Sequence, residues 1–172
     1  MTIIDPGALR GASCTQTIQR AIDEAAASGG GCVVIPAGEY ETAGLVLRSH
    51  VELRLTGPGT LEGQGRRWWD AFRAGGMRAA RPCFVCFEDC ERVVMSDFTV
   101  QNSPAWTIHP LRCENVSIRG LTVVNPSDSP NTDGIDPESC RNVRISDCHI
   151  DVGDDCVAVK AGTEVADVRV PF

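Results

Sequence analysis

Three stretches decide the fold: Cys90-Glu-Arg-Val-Val-Met-Ser-Asp-Phe-Thr-Val100, Cys113-Glu-Asn-Val-Ser-Ile-Arg-Gly-Leu-Thr-Val123 and Cys140-Arg-Asn-Val-Arg-Ile-Ser-Asp-Cys-His-Ile150 superimpose without a gap. In each, apolar side chains follow the Cys at +3, +5, +8 and +10: Val93, Met95, Phe98, Val100; then Val116, Ile118, Leu121, Val123; then Val143, Ile145, Cys148, Ile150. Steps of two mark strands with one buried face, and the break between +5 and +8 marks a corner. The copies start 23 and 27 residues apart, with no amphipathic helix between them. Short strands at that period build a solenoid whose coils stack about 4.8 Å apart. Leucine-rich repeats share the period, but their Leu signature and helical segments are missing. The expectation is an all-β chain forming a parallel β-helix.

The pattern extends both ways. Val168 and Val170 fit the +3 and +5 places of a further copy starting near Val165. Upstream, Cys14 or Thr15 precedes the stripe Ile18, Ala21, Ile22, Ala25 and Ala26, which Gly29-Gly30-Gly31 ends. That spacing predicts a short helix over about 14–30, followed by a strand at Cys32–Ile35. A solenoid must cover its open end, so this helix reads as a cap. One domain over 1–172 is expected, with repeating coils over about 32–172 and an uncovered, truncated C-terminal end.

Nine cysteines in 172 residues suggest disulfides or metal, but their placement argues otherwise. Cys83 and Cys86 form a CxxC that no second pair completes. Cys90, Cys113 and Cys140 sit where the repeat wants a small apolar residue, so core packing is expected, with no metal and no cofactor. The net charge of −7 lacks any basic stripe and excludes nucleic acid as an expected partner. No run approaches the roughly 20 apolar residues of a membrane span, so no membrane partner is expected. Met1 to Arg10 shows no leader pattern, which favours a cytoplasmic chain, or an extracellular one if the natural start lies upstream. The oligomeric state is left open.

Aligning the turns on Ile108, Ile135 and Cys156 as inward positions sets Trp106, Asp133 and Asp154 on one side of three successive coils. Asp136 and Asp155 lie beside them. Like charges at that spacing resist ionising together and raise at least one carboxyl pKa, which suits a general acid. The same residues also fit a structural role: paired Asp at turns cap amides or bind calcium, Asn131 satisfies a corner, and Trp106 covers the flank.

The stretches Asn131-Thr132-Asp133-Gly134-Ile135-Asp136 and Gly153-Asp154-Asp155-Cys156 resemble two signature motifs of the polygalacturonases, glycoside hydrolase family 28. GGGCVVIPAGEY from Gly29, GTLEGQGRRWWD from Gly59 and NSPAWTIHP from Asn102 support the resemblance. It implies a right-handed, pectin-lyase-like β-helix that hydrolyses α-1,4-linked galacturonic acid with inversion. Asp154 then resembles the acid that protonates the leaving oxygen, while Asp133 and Asp155 resemble the pair that activates water. Inversion calls for a gap of about 6.5–9.5 Å between the two carboxyl functions. Asn131, Asp136, Trp106 and Lys160 are candidate substrate contacts, and polygalacturonate or oligogalacturonides the implied partner. Gly153 is read as permitting a tight turn before the carboxylate pair.

Two family features are missing: the later Gly-His-Gly and the Arg-x-Lys that holds the substrate carboxylate. Relatives also carry additional residues between Leu55 and Thr56. Without a cationic clamp, an Asp-lined site repels a polyanion, so weak binding and little turnover are expected. The alternatives are a non-catalytic uronide-binding solenoid, and a calcium-dependent lyase on the same architecture.

Overall fold

Each coil of the chain has three sides made of short strands or single bridges, and every strand pair is parallel. The computed structural model describes residues 2–5, 9, 14–57, 59–75 and 77–161. After β1 (Thr2–Ile3) and α1 (Cys14–Ala27), the first coil runs through β2 (Gly31–Ile35), β3 (Gly38–Glu41) and β4 (Leu45–Val46). The second has β5 (Val51–Leu55), β6 (Gly59–Glu62), a helix α2 (Arg66–Ala74) and β7 (Val85–Glu88). The third has β8 (Val94–Ser96), β9 (Thr99–Gln101) and β10 (Ile108–Leu111). The fourth has β11 (Glu114–Arg119) and β12 (Thr122–Val124), and the fifth β13 (Arg141–Ser146) and β14 (His149–Asp151). In these last two coils the third side is built by single bridges, Ile108 to Ile135 to Val157 and Leu111 to Glu138 to Lys160. Three parallel sheets therefore wrap one interior: the expected right-handed parallel β-helix.

The repeat's apolar positions form three interior columns. Val33, Leu53, Met95, Ile118 and Ile145 stack on one side. Tyr40, Leu61, Val100, Val123 and Ile150 stack on the second, and Leu45, Val85, Ile108, Ile135 and Val157 on the third. The middle rungs are fully buried, whereas Val157 is 43% exposed. Each buried rung contributes about 1.5–3 kcal/mol of apolar burial.

The corners explain the broken alternation. Relative to each repeat cysteine, the residues at −1, +2 and +7 are left-handed: Asp89, Arg112 and Ser139; Arg92, Asn115 and Asn142; Asp97, Gly120 and Asp147, all with φ between 51° and 67°. One left-handed residue redirects the strand without lengthening the coil, and Asn, Asp and Gly tolerate that conformation best. The +7 corner is the interruption read in the sequence.

Helix α1 covers the first coil as expected, burying Cys14, Ile18, Ala21, Ile22 and Ala25. It also closes the edge of β4. The Gln19 amide donates to Val46 O at 2.8 Å and accepts from Val46 N at 2.9 Å, as a neighbouring strand would. The cysteine column is packed too: Cys90 and Cys113 are buried, and each donates its backbone N–H to the sulfur one coil on, at 3.4 and 3.3 Å. All nine cysteines are free thiols.

One inward position is corrected, and two elements lie outside the repeat. Strand β1, which pairs with β2 outside the first coil, and helix α2 carry no repeat signal and were not foreseen. After Leu55, Thr56 N donates to Ile35 O at 2.9 Å, tying the end of β5 to the coil before it. Cys156 is exposed rather than inward, because Val157 is the residue in register with Ile135. The further copy near Val165 lies outside the described residues. No helix among the described residues is long and apolar enough to cross a membrane.

Candidate active site

The shifted register decides which carboxylates align. With Ile108, Ile135 and Val157 paired, the residues two places earlier are Trp106, Asp133 and Asp155, and Asp154 precedes them by one. Backbone bonds fix this ladder: Thr107 N donates to Asp133 O at 2.9 Å, and Gly134 N to Asp155 O at 2.9 Å. Asp154 turns back so that its Oδ1 accepts the Asp155 N–H at 3.0 Å. One carboxylate oxygen from each of Asp133, Asp154 and Asp155 lies within 4.8 Å of the others. These oxygens lie closer than the about 6.5–9.5 Å at which two carboxyl groups hold an attacking water between them, because adjacent coils and adjacent residues bring the three groups together. Gly153 is required for a different reason than a turn: the backbone of Pro126 and Ser129 passes where a Cβ would stand.

Burial divides the carboxylates. Asp154 and Asp155 are exposed, whereas Asp133 is 5% and Asp136 0% exposed. Lys160 answers the buried pair, its Nζ donating to Asp136 Oδ1 at 2.9 Å and lying 3.4 Å from Asp133 Oδ2. The same ammonium sits 3.5 Å from the centroid of the Trp106 ring. The raised carboxyl is Asp136, pushed up to about 7. Burial is the first cause; the hydrogen bond from Lys160 opposes it, and the charges of Asp133 and Asp155 reinforce it.

Behind this face lies polar support that the repeat pattern does not reveal. Buried Asn125 accepts from Ser103 N at 2.8 Å and donates to Thr107 Oγ1 at 2.9 Å and Thr132 O at 3.2 Å, tying two coils under Asp133. His109 and Glu138 are both buried and meet at 3.1 Å, with Trp106 edge-on to the imidazole at 5.0 Å. Burial holds the His109 pKa below its usual value, against the raising effect of Glu138. Arg81 is buried beneath the Asn131 corner, donating to Pro104 O at 3.0 Å, Pro130 O at 2.5 Å and Asn131 Oδ1 at 2.6 Å. Its guanidinium packs 4.1 Å over the Phe72 ring of α2. Asn131 is left-handed, with φ 52°, and its side-chain oxygen is engaged with Arg81.

Of the seven residues singled out from sequence, Asp133, Asp136, Trp106 and Lys160 thus form one contact group. Asp154 and Asp155 stand at its exposed rim, and Asn131 is at the corner leading into it. One signal for Lys160 was available: it is the chain's single lysine, beside fifteen arginines. Arg81 and Asn125 gave no such signal, since their importance lies in contacts across coils.

Residues 36–170 match the profile described as "Glycosyl hydrolases family 28". The chain belongs to this glycosyl hydrolase family. A probable polygalacturonase of Vitis vinifera is 47% identical over 104 residues, covering 60% of this chain and 21% of that protein. A probable polygalacturonase of Arabidopsis thaliana is 40% identical over 111 residues, covering 64% and 23%. The chain thus spans under a quarter of the length of these relatives. Among solved structures, the polygalacturonase of Erwinia carotovora ssp. carotovora superimposes with a TM-score of 0.71 at 22% identity, covering 93% of this chain and 57% of that one. A hyperthermoactive exopolygalacturonase from Thermotoga maritima gives a TM-score of 0.66 at 26% identity, covering 87% and 51%. These polygalacturonase structures are β-helices, and the shared fold accounts for the coil stacking.

Proposed function

We propose that this chain carries the carboxylate site of a pectin-degrading glycosidase acting on α-1,4-galacturonosidic bonds of polygalacturonate or oligogalacturonides. The observation that carries the reading is the convergence of Asp133, Asp154 and Asp155 within 4.8 Å on one flank of a family 28 β-helix. In this reading Asp154, at the exposed rim, protonates the leaving glycosidic oxygen. Asp133 and Asp155, in register on neighbouring coils, orient and deprotonate the attacking water. Asn131 and Trp106 shape the floor against which the sugar rests, with Asp136 and Lys160 packed beneath the reacting carboxylates.

Two properties of the reading follow from electrostatics and spacing. Asp154 and Asp155 are exposed, and among the described residues neither forms an ion pair, so a polyanionic substrate meets uncompensated charge and turnover is weak. Family resemblance implies inversion, whereas a spacing near 5 Å accompanies retention in many glycosidases. The anomer formed first, read by proton NMR before mutarotation, decides between them.

A second reading draws on the same spacing, since three carboxylates this close also suit a divalent cation, as a lyase requires. Lys160 speaks against it by already placing a positive charge against Asp133. The deciding experiment incubates the purified chain with polygalacturonate and digalacturonate, following reducing ends and ultraviolet absorbance together. New reducing ends without absorbance, unaffected by chelator, support the hydrolase. Calcium-dependent absorbance supports the lyase. Binding with neither signal leaves a non-catalytic uronide-binding solenoid.

A further inference from the structure

Lys160 meets three neighbours of different kinds, and their burial ranks them. Asp136 is fully buried and makes the shorter contact, 2.9 Å; Asp133 is 5% exposed and lies at 3.4 Å; Trp106 offers a ring face at 3.5 Å. The second oxygen of Asp136, Oδ2, is buried and has no hydrogen-bond partner among the described residues. A carboxylate held inside the wall cannot move toward its partner, whereas lysine is a compact charge on a flexible four-carbon stem. The lysine therefore goes to the aspartate. On the way its ammonium crosses the Trp106 face, whose π-electrons attract a cation. Arginine, with its planar fork, suits bidentate pairing and is a poor substitute where one charge is divided between two carboxylates and a ring.

We propose that Asp136 is a positioning residue of this site: from its buried seat it draws the chain's single lysine across Trp106 and on to Asp133. The lysine becomes the internal counter-charge of the carboxylate cluster instead of reaching out to the substrate's uronate groups. This inference rests on the glycosidase reading, and it gives Asp136 and Lys160 a role under the reacting groups rather than against the sugar. It also accounts for the one lysine in a chain otherwise furnished with arginine.

A single lysine makes the test direct. Protein grown with lysine labelled at 13Cε gives one ε-methylene signal, displaced upfield in the wild type by the Trp106 ring, and Trp106→Leu removes that displacement. Asp136→Asn is expected to return the signal to the free-lysine position. If hydrolysis is measurable, it lowers kcat/KM by roughly 10- to 100-fold, mostly in kcat, because a reacting group is displaced while the sugar is still held. Asp133→Asn is expected to leave the signal displaced, since Asp136 still holds the lysine. Retention of the displaced signal in Asp136→Asn, or its loss in Asp133→Asn, overturns the proposal. Should Asp136→Asn lack the β-sheet circular dichroism of the wild type, the Asp133→Asn arm decides alone. If no variant or parent hydrolyses pectin, the glycosidase reading fails while the lysine signal still judges the role of Asp136.

Discussion

Gly153 and Ser129 sit on neighbouring coils with no room for a side chain between them: a Cβ on Gly153 would lie 2.4 Å from Ser129 O and 2.6 Å from Pro126 O. Both obstacles are backbone, so neither can rotate away. Gly153→Ala is therefore expected to cost about 1–3 kcal/mol, as overpacking does. It also pushes Asp154 and Asp155 off the flank they share with Asp133. The urea midpoint and the rate of reducing-end release should fall together. A variant as stable and as active as the parent would show that the two coils are not in close contact there.

The solenoid was legible because its signal is local and repeated. Positions +3, +5, +8 and +10 need no knowledge of distant residues, and the interior columns follow once strands are paired in parallel. Asp133, Asp154 and Asp155 were legible as a group because motif and repeat fall together. The detail of their alignment was not. Cys156 and Val157 are adjacent apolar residues, and choosing between them shifts every side chain to the other face; the bridge to Val157 aligns Asp155, not Asp154, with Asp133. Arg81 and Asn125 escaped notice because their partners, Asn131 and Ser103, are 50 and 22 residues away.

Corner and core should respond in opposite senses. Arg92 is left-handed, with φ 58°, where Gly carries no steric penalty. Arg92→Gly is expected to be neutral or to stabilise by up to about 1 kcal/mol. Ile118, one coil on and itself fully buried, is expected to lose about 2–5 kcal/mol on replacement by Ala. Denaturant unfolding of both variants checks the contrast. A large loss at Arg92 would mean that its side chain, not its backbone, holds the corner.

Asp136 and His109 act on stability in opposite directions as pH changes. A carboxyl raised from 3.8 to about 7 binds its proton more tightly in the folded chain. Its contribution is therefore full below pH 3.8 and is lost as pH rises toward 7, with a slope of at most about 1.4 kcal/mol per pH unit. His109, held below 6.5 by burial, favours the folded chain above that value and loses its contribution as pH falls. Because the two windows overlap, the parent's profile is flattened and the difference between variants is the informative quantity. Asp136→Asn should remove the component that weakens with rising pH, leaving a chain whose stability climbs between pH 4 and 7 relative to the parent. Parallel profiles for the two proteins would show that Asp136 titrates as it does in the unfolded chain.

The exposed carboxylates should separate binding from chemistry. Removing either negative charge eases the approach of a polyanion, by about 1 kcal/mol for a charge 4 Å away in water, so Asp154→Asn and Asp155→Asn should bind oligogalacturonide up to about fivefold more tightly than the parent. Hydrolysis should move the other way. Loss of a proton donor or of a water-activating base costs about 100- to 10,000-fold in rate. Calorimetric titration with trigalacturonate, alongside reducing-end assays, reads the two effects independently. If both variants lose affinity in proportion to rate, Asp154 and Asp155 serve as ligands to the sugar or to a bridging cation. The assignment of Asp154 as acid and Asp155 as partner of Asp133 would then have to be abandoned.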